Sequence, residues 1–100
     1  MVSVDRQQVR QIVEHFGAYA QISKAVEELI ELSEVLIKDI NKAEVDKDSL
    51  YEELADVCVM FYQLKIIYNI DDTTLQEEVD KKVDRTLQRI QNVTTDCNWK

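Results

Sequence analysis

A chain of 100 residues with one glycine and no proline contains almost nothing that stops a helix. Its long stretches of Leu, Glu, Lys, Gln and Ala favour helix at most positions, so the sequence predicts helices joined by short turns. That length suits one domain with one core, and 45% apolar against 32% charged residues is a folding rather than a disordered composition.

Four helices can be marked out. The first is expected over 4–16, with Ser3 as N-cap and Gly17 as its stop. The second begins near Ala18–Gln21 and runs to about Lys42, with Ile22, Ala25, Val26, Leu29, Leu32, Leu36 and Ile40 at amphipathic spacing. After the polar connection NKAEVDKD, Ser49 and Glu52 form a capping box that opens a third helix, expected to end near Tyr68. From Leu54 onward this helix is apolar on nearly every side, which predicts the most buried helix of the set. Thr74 and Glu77 repeat the capping-box pattern for a fourth helix ending near Asn92. The expected fold is therefore all-α, a four-helix bundle-like single domain over residues 1–92 with a tail at 93–100. The third helix has more apolar surface than four short helices readily cover, so the bundle is expected to be completed by oligomerisation.

A net charge of -8 and a pI near 4.5 disfavour nucleic acid as a partner. The longest apolar run, around Val57–Tyr62, is too short to span a membrane. No export signal is visible at the N-terminus. Cys58 in an apolar helix and Cys97 in a polar tail read as reduced thiols of a cytoplasmic protein.

The acids are placed unusually for solvated surface groups. On a helical wheel Gln21, Lys24, Glu28 and Glu31 fall along one shoulder of the second helix's apolar arc, while Glu27 and Glu34 project towards solvent. On the third helix Glu53 points between Val57 and Met60, and Asp56 between Val59 and Ile67. An ionised carboxylate in such a setting costs several kcal/mol or more unless protonated, paired or metal-bound. Cations for pairing are few on these helices: Lys24, Lys38, Lys42 and Lys65. Residues three apart share a helical face, so Glu28 with Glu31 and Glu53 with Asp56 offer two converging pairs. Four carboxylates suit a hard cation, Mg²⁺ or Mn²⁺. Zinc would want Cys or His at ligand spacing, and a ferritin-like di-iron site Glu-x-x-His pairs; His15, the one histidine, stands in neither. The plainer alternative is a solvated acidic rim with Lys or Arg partners elsewhere in the fold.

The string EELIE (Glu27, Glu28, Glu31), followed after twenty-one residues by ELAD (Glu53 to Asp56), resembles the EExxE…ExxD signature of the MazG-like all-α nucleoside triphosphate pyrophosphohydrolases. FGAYAQISKAVEELIELSEVLIK and EELADVCVMFYQL look like that superfamily's two motif helices, and KKVDRTLQRI like the basic stretch of its last helix. The likeness covers roughly residues 16–90. It implies an enzyme that cleaves a nucleoside triphosphate between the α and β phosphates. Four carboxylates would hold Mg²⁺, here Glu28, Glu31, Glu53 and Asp56, and the enzyme would be a homodimer or homotetramer. Glu27 matches the first Glu of the motif, but its outward direction makes it a weaker ligand. Lys82 and Arg89 match the last helix's cations, and Thr86 stands where the superfamily usually has Asn, which puts specificity in question.

Such a reaction needs phosphate charge neutralised and a water aligned with the leaving group, and metal ions do both. Glu31 is the carboxylate chosen to orient or deprotonate that water. Lys24, Lys82 and Arg89 are the cations that could steady phosphates, and Gln21 could meet base or sugar. The competing reading is a helical oligomerisation or partner-binding module that keeps the fold without turnover.

Overall fold

The computed structural model describes residues 2–42 and 44–92; the tail at 93–100, with Cys97 and Trp99, lies outside them. It contains four helices: α1 (Arg6–Phe16), α2 (Ala18–Ile40), α3 (Lys47–Ile67) and α4 (Asp72–Gln91). The all-α expectation holds, with no strand among the described residues. The chain divides into two compact units, Met1–Asn69 and Ile70–Lys100.

Aspartates, not the expected Ser and Thr residues, cap three of the helices. Asp5 accepts hydrogen bonds from the backbone N–H groups of Gln7 (2.9 Å) and Gln8 (3.1 Å), so α1 starts at Arg6 and Ser3 lies outside it. Asp46 caps α3 three residues before Ser49, whose hydroxyl donates to the Asp46 carboxylate at 3.1 Å. Asp71 caps α4, taking the Thr74 N–H at 2.9 Å and hydroxyl at 2.7 Å. In both places the Ser or Thr of the expected capping box is a donor to the true cap. A carboxylate with two lone-pair-rich oxygens can serve backbone and hydroxyl together, which extends each helix by up to one turn.

Gly17 alone separates α1 from α2. Its φ of 92° is open to glycine at no steric cost, and its N–H closes on the Val13 carbonyl at 2.8 Å. α2 ends at Ile40, two residues short of Lys42, because Lys42 takes a left-handed conformation (φ 64°). Asn69, at φ 49°, performs the same turn after α3.

In the first unit α2 and α3 form the main packed pair, with α1 laid against both. Steps forward along α2 match equal steps backward along α3. Gln21 meets Gln63, Glu28 meets Asp56 seven residues further, and Glu31 meets Glu53 three residues beyond that. The pair is thus an antiparallel hairpin closed by the connection at 41–46.

As expected, α3 is the least exposed of the four helices, but it is not enclosed. Between Val57 and Ile67 only Gln63 is buried; Phe61 is exposed and the rest are half-buried. Two neighbouring helices cannot enclose a third that is apolar all round. Among the described residues the buried apolar ones are Val9 and Ala25, while Val26, Ile30, Ile37 and Ile40 of α2 stay half or more exposed.

Candidate metal centre

Antiparallel register places the acids of α2 and α3 opposite one another. Glu28, Glu53 and Asp56 each present a carboxylate oxygen within 4.8 Å of the other two. Glu28 comes from the middle of α2, on the turn after Ala25, and is only 4% exposed. Glu53 and Asp56 come from successive turns of α3, Glu53 half-buried and Asp56 exposed. The cluster is therefore dry on the α2 side and open on the Asp56 side.

Glu31 stands outside that group of three. It is exposed, and its carboxyl lies beside that of Glu53. Glu27 is exposed as expected and takes an ion pair with Lys24 at 3.7 Å. Lys24 also reaches back to Glu28, with its Nζ 3.3 Å from Oε1.

Burial above all pushes the Glu28 carboxyl upward from the usual value. Asp56 at hydrogen-bonding range adds to this, and Lys24 offsets part of it. Glu53 is raised as well, first by loss of solvent and then by the negative charges of Glu31, Asp56 and Glu28. The same pairing raises Lys24, chiefly through its hydrogen bond to Glu28.

Two oxygens are left over. Glu28 Oε2 and Glu53 Oε2 are buried and have no hydrogen-bond partner among the described residues. A buried carboxylate oxygen facing other carboxylates is a costly arrangement unless a proton or a cation lies between them. All the donors in the cluster are hard oxygens, which is the set that Mg²⁺ or Mn²⁺ takes and that zinc does not favour. The residues present therefore fit a hard divalent cation, with Glu28, Glu53 and Asp56 as the core ligands and Glu31 at its edge.

Of the residues expected to bind substrate, Lys24 lies at the cluster, held by Glu28. Gln21 is buried, and its Nε2 donates to Gln63 Oε1 at 2.7 Å, so its amide is engaged inside the hairpin. Lys82 and Arg89 lie exposed on α4, in the second unit. Gln63 was missed in the sequence. The signal was present: a lone amide within VCVMFYQLKII, seven residues past Asp56 as Gln21 is seven before Glu28.

An apolar pocket of about 160 Å³ lies on the same two helices, lined by Ala25, Leu29, Val57, Met60, Phe61 and Leu64. It has no polar lining and offers no ligand to a cation. Among the described residues no helix is long and apolar enough to cross a membrane. No family model, no curated protein and no solved structure matches this chain.

Proposed function

We propose that the chain is a Mg²⁺-dependent nucleoside triphosphate pyrophosphohydrolase that releases a nucleoside monophosphate and pyrophosphate. The observation that carries the reading is the buried, unpartnered Oε2 of Glu28, which lies in a cluster with Glu53 and Asp56. Glu28, Glu53 and Asp56 would together hold a hard cation, and the Asp56 side of the cluster is exposed and open to phosphates. The EExxE…ExxD spacing supplies the substrate class, since the geometry by itself names only a hard cation.

When bound, the cation would neutralise phosphate oxygens and acidify the attacking water. The chain's own groups do the rest. Glu31, exposed beside Glu53, is free to orient that water and accept its proton. Lys24 is within reach of the α2 acids and would pass from Glu28 to a phosphate oxygen once the carboxylate is otherwise engaged.

Incubation with Mg²⁺ or Mn²⁺ and a panel of ribo- and deoxyribonucleoside triphosphates should release pyrophosphate and the matching monophosphate. No turnover across the panel with either metal would remove the enzyme reading. The competing one would then stand, a helical module that associates without catalysis. The open apolar faces of α2 and α3 favour association in either case, so we also infer a homodimer or homotetramer.

A further inference from the structure

The fourth helix carries an apolar stripe of its own. Val79, Val83, Leu87 and Ile90 recur at three-four spacing and are 45–52% exposed, with Leu75 continuing the line towards the N-terminus. Thr86 falls in the same stripe, its hydroxyl satisfied within the helix by the Lys82 carbonyl at 2.9 Å. A shallow depression beside Lys82, Val83, Thr86 and Leu87 opens along it.

The charges on this helix are sorted by position. From Asp72 to Asp80 there are four acids and no base; from Lys81 to Gln91 there are four bases and one acid. The helix dipole favours acids at the first turn and bases at the last, and its influence fades beyond those turns. It accounts for Asp72 and Arg89 but not for a change of sign at the middle of the helix, between Asp80 and Lys81. On one shoulder of the stripe Glu78, Lys82, Arg85 and Arg89 follow at helical spacing, an acid ahead of three bases.

Two such helices side by side in parallel would place acid against acid and base against base. Reversed, each acidic half lies along a basic half, while the two stripes cover one another. We propose that α4 is a self-association helix, pairing antiparallel with the α4 of a second copy of this chain. The pairing rests on the reading of the chain as an oligomer and is independent of the metal centre. It combines an apolar seam, which supplies the attraction, with a charge order that rejects the parallel alignment.

The test is sedimentation equilibrium of the full chain at micromolar concentration, with three proteins compared. The natural chain should associate. Glu78→Lys with Asp80→Lys should weaken association by about tenfold or more, since the half from Asp72 to Asp80 then holds two acids and two bases and no longer attracts the basic half. Adding Lys82→Glu and Arg89→Glu to that variant sets new acids of one copy against the new lysines of the other and should restore association to within a few-fold of the natural chain. A variant that had merely lost its helix would not be rescued by two further reversals. A monomeric natural chain would overturn both the oligomer and this pairing. An associated chain indifferent to Glu78→Lys with Asp80→Lys would overturn the pairing and leave the oligomer intact. Orientation is read separately with spin labels, in a chain whose Cys58 and Cys97 are replaced by serine. Asp84→Cys, near the middle of α4, should give a short distance between copies, and Asp72→Cys one of about 30 Å at 1.5 Å rise per residue. Short distances from both positions, or from neither, would overturn the antiparallel pairing.

Discussion

Gln21 and Gln63 meet through a buried hydrogen bond, Nε2 to Oε1 at 2.7 Å, two helical turns from the place where Glu28 faces Asp56. The same antiparallel register that joins the amides thus aligns the acids. An amide pair tolerates no slip along the seam, because a shift of one residue would leave both polar groups in an apolar interface. Gln63 Nε2 is already without a partner among the described residues, so the pair is under-satisfied as it stands.

Gln63→Leu should therefore be costly out of proportion to one bond. It strands the Gln21 donor in the interface, and about 1–3 kcal/mol is the usual penalty for such a group. Gln21→Leu together with Gln63→Leu should recover most of that loss, since no buried polar group then remains. Denaturant unfolding of the two single variants and the double variant forms the cycle, and additive losses would mean that the amides are not coupled.

At the metal centre, Glu28→Gln should have opposite effects with and without the ion. It removes a buried charge among like charges, so the metal-free protein should melt at a higher temperature than the natural chain. It also removes a ligand, and the stabilisation given by added Mg²⁺ or Mn²⁺ should fall, with affinity reduced by at least roughly tenfold. Thermal melts across a metal titration read both effects. A variant that gains as much from metal as the natural chain would remove Glu28 from the ligand set.

Much of this site was legible in the sequence because helical geometry is local. The i, i+3 spacing places Glu53 and Asp56 on one face before any tertiary contact is known, and the apolar residues around them mark that face as unusual for acids. Glu31 was harder to place. Its angular position differs little from that of Glu28, and one further turn along α2 takes it from the buried seam to the open edge. The caps were misread for another reason. Ser49 and Thr74 satisfy the capping-box pattern, but each lies within reach of an aspartate three residues earlier, a stronger acceptor that starts the helix sooner. The burial of α3 depended on what covers it, which no periodicity within the helix can reveal. The amide partner of Gln21 depended on inter-helix register, which emerges only once the hairpin closes.

The pH dependence of the metal-free protein follows from the same carboxyls. Glu28 and Glu53 both titrate above the ordinary carboxylate value of 4.5 in the folded chain. Above that pH the native state holds more protons than the unfolded chain, so stability should fall as pH rises through the interval up to the raised values. Asp71, lowered by its bonds to Thr74, acts in the other direction and only below about 3.8. Added Mg²⁺ competes with those protons, so the rise in melting temperature it gives should be smaller at pH 5 than at pH 7.5. A metal effect independent of pH over that range would exclude the raised carboxyls as ligands.

Lys24 offers the sharpest separation of a site from an acidic rim. Its ammonium sits 3.3 Å from Glu28 and 3.7 Å from Glu27, the role of a counter-ion to a carboxylate that has lost its water. Lys24→Met keeps a flexible apolar stem at that position and removes the charge. Without metal, Glu28 then loses a cation that offsets its burial, and the melting temperature should drop at neutral pH, with the deficit shrinking as the pH is lowered and the carboxyl is protonated. With saturating Mg²⁺ the cation takes over that compensation, so the gap between Lys24→Met and the natural chain should close. In a solvated rim with no ion, the two proteins would differ equally with and without Mg²⁺, and that outcome would count against a metal centre.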